Sequence, residues 1–335
     1  MPTPFRHTVP PSPRAAEGRV AEAYAQIARD LGTAAPAAFV VLSSAPEVML
    51  PAWALLRESL IAGPGDRTGK EVAAYGVALA DECRFTADAH AVLLHATGDH
   101  ALAERLARGE HPENELHARV LDWAGRTRVP GAALGPLPFP DDALPGYLGT
   151  VLASHFADRV VSALLTEHLL PAGAQRLRPV RSLTGRTLSR AVLRGAAVPG
   201  ASLPLLQHPG EGPAWAAGTP VGPAYDALRT AALEGGALLD EGERCLVRDR
   251  VAAWDGARPP VILRGYPHRR ELPGARLALL AALAPHRITE EDVEVWRADG
   301  RTDRSLVRLV AYGAFLVVER IASALHPSPP AARHI

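Results

Sequence analysis

A carboxylate, a thiol, a hydroxyl and an imidazole fall within one short stretch of this chain, at Glu71, Cys83, Thr86 and His90. A thiol becomes a nucleophile once deprotonated. An imidazole can take or return that proton, and a carboxylate can hold the imidazole in one tautomer and keep it basic. Together the three make a base-activated nucleophile. Without the thiol they make an acid–base pair.

Spacing says how they could meet. Thr68 serves as N-cap for a helix running to about Ala80, the chain turns near Asp81, and a second helix runs from Cys83 to about Ala96, closed by Gly98. In an antiparallel hairpin, Glu71 lies about ten residues before the turn and His90 about nine after it. At about 1.5 Å rise per residue they stand at similar height on facing helices. Cys83, Thr86 and His90 follow an i, i+3, i+7 pattern and share one face. Cys83 sits in a first helical turn, where the helix dipole favours a thiolate. Cys83 is therefore expected to react with iodoacetamide ahead of Cys245, which lacks any partner motif and reads as buried.

The rest of the chain reads as helical. Hydrophobic residues make up 47% while aromatics reach only 5%, so alanine and leucine fill the core, and both are strong helix formers. Arg19–Leu31, Phe39–Leu42, Val48–Ile61, Tyr147–Leu170 and Leu183–Leu193 carry helical patterning. Residues 1–14 read as an irregular arm and 125–145 as a long loop. Residues 171–222 read as a loose connector whose Leu203, Leu205, Leu206 and Trp215 can pack on the surface. The 36 basic and 36 acidic residues cancel and leave no basic face, which argues against nucleic acid. Lys70 is the single lysine, a base-composition bias. Two distant cysteines make no disulfide framework, and no apolar run reaches membrane-spanning length. The N-terminus lacks a signal-peptide core, so a cytoplasmic protein with no membrane partner is expected.

An internal repeat is visible. Pro51–Arg57 is echoed by Pro223–Arg229 at an offset of 172, and Asp158–Leu164 by Glu319–Leu325 at an offset of 161. At the first offset Glu71 falls on Glu243, but Cys83, Thr86 and His90 fall on Asp255, Arg258 and Ile262. The second half thus reads as a copy that lost the constellation.

The stretch Glu71…Cys83-Arg-Phe-Thr86-Ala-Asp-Ala-His90 resembles the alkylhydroperoxidase D-like and carboxymuconolactone decarboxylase superfamily, whose pattern is a glutamate, about eleven residues, then C-x-x-C-x-x-x-H. Gly18–Tyr24, Leu31-Gly32, Ala45–Glu47, Trp53 and Asp158-Arg159 look similar too. The resemblance covers roughly residues 15–170 and, more weakly, 207–330. It implies an all-α fold of two tandem alkylhydroperoxidase D-like units, 1–170 with the candidate site and 207–335 degenerate, joined by an irregular linker over 171–206. It also implies a homo-oligomer. In peroxidase members the second cysteine attacks peroxide and the first resolves the product. Here Thr86 holds the second position, and a threonine cannot form a sulfenic acid.

Three readings stand. Cys83 acts as a single-cysteine peroxidase on a small-molecule substrate with an external thiol as resolver, using His90 as base and Glu71 to orient it. Alternatively, Glu71 and His90 carry out decarboxylation or lactone isomerisation, or the protein binds without catalysing. Each residue also has a plainer role. Cys83 can be a small core residue, Thr86 a packing substitute, Glu71 a first-turn glutamate and His90 a satisfied helix histidine. Trp53 and Phe85 read as core. His90, His95 and His100 are spaced by five, rotating each side chain by about 140°, so no metal site is expected. His111 and His117 read as surface, and no cofactor motif is present.

Overall fold

The computed structural model describes residues 3–193, 197–207, 209–258, 265–298 and 300–326. The fold is all-α, and among these residues the sole β-pairing is one isolated bridge between Phe5 and Leu165. The helices of the first half are α1 (Gly18–Leu31), α2 (Ala37–Leu42), α3 (Pro46–Leu56), α4 (Arg67–Ala80), α5 (Arg84–Ala96), α6 (His100–Ala107), α7 (Glu115–Arg126) and α8 (Leu144–Leu164). Then follow α9 (Arg178–Val192), α10 (Val221–Leu233), α11 (Glu241–Ala252), α12 (Pro273–Leu283), α13 (Glu290–Arg297) and α14 (Asp303–Leu325). None of these is long and apolar enough to cross a membrane.

One apolar core runs through both halves, from Ile27, Trp53 and Phe156 to Trp296, Tyr312 and Phe315. Helix α3 packs against α10 and α8 against α14, the pairs of helices that carry the two sequence echoes. Trp53 and Phe85 are buried in this core as their sequence context predicts. Leu205, Leu206 and Trp215 join it as well.

Several boundaries differ from expectation for local reasons. Asp66, not Thr68, caps α4, its carboxylate accepting from the Gly69 N–H at 2.6 Å. A carboxylate at this position also complements the helix dipole. Residues 57–61 continue α3 as a wider π-helical turn, closed by the Ala62 N–H on the Arg57 carbonyl. The buried Lys70 ammonium donates to the Ser59 and Gly63 carbonyls beside it. The long helix α8 starts earlier than predicted and stops at Leu164, where the N-terminal arm crosses it. Arg6 N–H donates to the Leu164 carbonyl at 2.8 Å, and the Arg6 side chain reaches the carbonyls of Ser162 and Ile288. The arm is therefore pinned across the end of α8.

The linker is also more ordered than its composition implied. Helix α9 lies on α5, and Arg181 grips Glu104 with two hydrogen bonds. A Cβ at Gly185 would come within 2.3 Å of the His95 Cβ, so only glycine lets α9 approach so closely.

The α4–α5 turn sets the site. Glu82 adopts a left-handed conformation with φ 57°, and the Cys83 N–H donates back to the Ala78 carbonyl at 2.9 Å. This is a Schellman-type ending with glutamate where glycine is usual. Left-handed backbone costs a non-glycine residue about 1–2 kcal/mol. Glu82→Gly should therefore raise the melting temperature by roughly 2 °C for a chain of this size. The exposed Glu82–Arg258 pair at 3.0 Å contributes little to offset this. A lower melting temperature would show that the turn gains more from the glutamate than it loses in strain.

Candidate active site

The hairpin brings Glu71 and His90 together. His90 Nδ1 lies 2.7 Å from Glu71 Oε2, and Glu71 Oε1 takes two further bonds from Arg67 at 2.9 and 2.6 Å. Glu71 is fully buried, which by itself would push its carboxyl up. Arg67 and His90 outweigh that and hold it below the usual carboxylate range. His90 Nε2 carries no hydrogen bond among the described residues, and it is not a sealed atom. The imidazole is thus oriented from one side and available on the other.

Cys83 and Thr86 form a second, separate cluster. Cys83 is the N-cap of α5, and its side chain makes no capping bond. The Thr86 hydroxyl donates to Asp158 Oδ1 of α8 at 2.6 Å and lies 3.1 Å from the Cys83 carbonyl. No hydrogen bond joins the thiol to the imidazole among the described residues. The dipole expectation for Cys83 does not hold. Burial, reinforced by Asp158, pushes the thiol up to about 12, against the opposing pull of Ser162 and Thr86. A terminal partial charge loses to desolvation when the sulfur is almost completely buried.

The expectation for Cys245 is also corrected, because it is exposed, its sulfur 3.3 Å from Glu241. Helix α11 turns that side chain outward while Val247 and Val251 face the core. The labelling order therefore reverses. Near neutral pH, mass spectrometry should find iodoacetamide on Cys245 before Cys83; prior labelling of Cys83 would mean the thiol is far more acidic than its surroundings permit.

Cys83 nevertheless lies on the wall of a cavity of about 760 Å³. The cavity opens between the α4–α5 turn and the end of α8, and its other walls include Arg6, Phe85, Ser162 and His286. Arg6, Asp158 and Ser162 have no local signal as site residues. The recurrence of Asp158-Arg159 as Glu319-Arg320, and its place in the family resemblance, are the hints that this part of α8 matters.

A buried ionic cluster fixes the turn that carries Cys83. Asp81, at the end of α4, pairs with His155 at 2.6 Å, Arg159 at 2.8 Å and Arg128 at 3.2 Å. Burial alone would raise its carboxyl, but Arg159 and His155 hold it well below the ordinary range. Arg159 also donates to the Ala282 carbonyl at 3.0 Å, tying the site to the second half. In that half Glu243 remains buried but accepts from the Ala275 N–H at 2.9 Å, so it caps α12 where Glu71 orients a histidine. Arg258 pairs with Glu82, and Ile262 lies outside the described residues.

His95 and His100 do meet, 3.0 Å apart, because the chain turns at Gly98 between them. His95 is bound on its other nitrogen by Glu104. Among the described residues no group of three or more His, Cys, Asp or Glu side chains is arranged to hold a metal ion.

No protein-family model and no solved structure matches the chain. Over 328 residues it is 35% identical to a Mycobacterium tuberculosis protein named alkyl hydroperoxide reductase, an overlap of 95% of this chain and 94% of that relative. A likeness of that extent spans both halves, not the motif alone. With the all-α architecture and the Glu71–Cys83–His90 hairpin, it shows that the chain belongs to the alkylhydroperoxidase D-like family.

Proposed function

We propose that this protein reduces organic hydroperoxides with Cys83 as the attacking thiol and an external thiol as resolver. The observation that carries this is the position of Cys83 on the wall of an open cavity; His90 follows on the same helix and is not among the residues that line that cavity. The relative's name supports the same reaction class. In the first step an S–O bond forms and the peroxide O–O bond breaks. The thiol is oxidised to a sulfenic acid and the hydroperoxide is reduced to an alcohol. One external thiol then displaces water to give a mixed disulfide, and a second releases it and restores Cys83. His90, oriented by Glu71, supplies the proton that the departing alkoxide takes.

Two experiments follow. Cumene hydroperoxide should be consumed in the presence of excess dithiothreitol, and dimedone should trap a sulfenic acid on Cys83 only after peroxide is added. An unmodified Cys83 with no peroxide consumed would remove this reading. Thr86→Cys restores the C-x-x-C pattern one helical turn from Cys83, at a separation that a disulfide can span. It should form an intramolecular disulfide once peroxide is added and lessen dependence on added thiol, since resolution becomes intramolecular. A variant with no new disulfide and undiminished dependence on added thiol would show that Cys83 is not oxidised to a species the new thiol can resolve.

A second reading is acid–base chemistry on a carbon acid by Glu71 and His90. It is favoured by the intact pairing of those two residues apart from the thiol.

We also infer that the two halves, 1–170 and 207–335, are diverged copies joined by the 171–206 segment. A second cavity, of about 820 Å³, is lined by Ala322, Ser323 and His326, which the 161-residue offset relates to Val161, Ser162 and Leu165 of the first. The copies pack face to face within one chain, as subunits of a homo-oligomer would.

A further inference from the structure

We propose that Asp158, acting through the Thr86 hydroxyl, accepts the proton of Cys83, so that threonine at the second position is a working relay. The proposal rests on the reading of Cys83 as the attacking group. It begins from an anomaly in α8. Asp158 is 1% exposed and its Oδ2 has no hydrogen-bond partner among the described residues. A buried carboxyl oxygen left unpaired is costly, and native structures rarely keep one without a use.

The nearest cation does not neutralise it. Arg159 commits its guanidinium to Asp81, to the Ala282 carbonyl and to the His155 carbonyl. The groups that face Asp158 are Cys83 and Thr86 from α5, Asp81 from the end of α4 and Arg159 on its own helix. Burial first, and then the Asp81 charge, push the Asp158 carboxyl well above its ordinary value. Once ionised, such a carboxylate is a stronger base than a solvated one.

Thr86 is placed to connect the two ends, because its side chain, like that of Ser162, is a hydrogen-bond partner of the Cys83 thiol. Its hydroxyl reaches Asp158 at 2.6 Å from the same turn of α5 that starts at Cys83. As sulfur attacks the distal peroxide oxygen, the thiol proton passes to Thr86 Oγ1 and the Thr86 proton passes to Asp158. The alkoxide takes a proton from His90, which regains one from solvent as Asp158 releases its own. The net transfer is one proton from thiol to alcohol. The alternatives are that Asp158 only repels the thiolate, or that the Thr86–Asp158 bond only ties α5 to α8. These roles predict different signs.

The test is the rate at which iodoacetamide alkylates Cys83 in a Cys245→Ser background, followed by mass spectrometry from pH 5 to pH 10. If Asp158 is the acceptor, Asp158→Asn and Thr86→Val each slow alkylation by roughly a hundredfold at neutral pH. The rise in rate with Asp158 ionisation disappears in both. The double variant is no slower than either single one, and Thr86→Ser recovers what Thr86→Val loses. Faster alkylation in Asp158→Asn would overturn the proposal in favour of simple repulsion. Unchanged rates in folded variants would overturn it in favour of a structural tie. If Thr86→Val fails to fold, the sign of the Asp158→Asn effect still decides. No peroxide is needed, so failure of the relay and failure of the hydroperoxide reading are separately visible.

Discussion

Cys83→Ser should reduce hydroperoxide turnover to the uncatalysed background while leaving the fold intact. A hydroxyl cannot be oxidised to a sulfenic acid, so no covalent route through residue 83 survives. The exchange is well tolerated by the structure. Residue 83 is the N-cap of α5, a position where serine is preferred because its oxygen can accept from an N–H of the first turn. Cysteine makes no such bond here, so the new cap, worth about 1 kcal/mol, offsets the cost of a buried hydroxyl. Ser162 and Thr86 stand beside it as further partners. The melting temperature should therefore move by only a few degrees, roughly 2–4 °C per kcal/mol. A folded serine variant that still consumes peroxide would place the chemistry elsewhere, and the Glu71–His90 pair would be the remaining centre.

The pairing of Glu71 with His90 was legible in the sequence because it needs only helical rise and a turn of known position. Both residues lie in one hairpin, so no tertiary information enters. The partner of Thr86 was not legible. Asp158 is 72 residues away, on a helix whose packing against α5 follows from the whole bundle. The Cys83 thiol misled for a related reason. Its place at a helix start is local and was correctly read, but its depth is a property of the surrounding core, and depth decides the pKa. Cys245 failed in the opposite direction, since an amphipathic helix in a weakly patterned stretch gives no clear sign of which face is inward.

Two helices, α6 and α7, lie between Asp99 and Arg126, where the sequence reading assigns no element. Their starts carried usable signals in Asp99 and Asn114, whose side chains accept from the Leu102 and His117 N–H groups. Helix α9 starts at Arg178, earlier than the Leu183–Leu193 helix that the sequence predicts, and docks on α5 through Gly185 and Arg181, contacts that no linear pattern announces. The family resemblance rests on residues 15–170 and, more weakly, 207–330, and the match to the mycobacterial relative covers 95% of the chain.

His90→Ala should lower kcat/KM for hydroperoxide by roughly a hundredfold or more, the usual cost of losing a positioned acid–base group. It is a cleaner probe than Glu71→Gln. Removing the imidazole leaves Glu71 ionised and doubly bonded to Arg67, so no buried charge is orphaned. The stability loss should then be about 1.5–3 kcal/mol, that of one hydrogen bond to a charged group. Glu71→Gln would strip Arg67 and His90 of their common partner and cost more. The geometry also predicts what His90→Ala leaves alone. His90 makes no hydrogen bond to the thiol among the described residues, and the route proposed for the Cys83 proton runs toward Thr86 and Asp158. Cys83 alkylation should therefore proceed in His90→Ala at the wild-type rate even as peroxide turnover collapses. Alkylation and turnover falling together would instead make His90 the base for the thiol, as the linear motif by itself suggests. That outcome would require imidazole and sulfur to be linked in the resting protein, as through a bridging water.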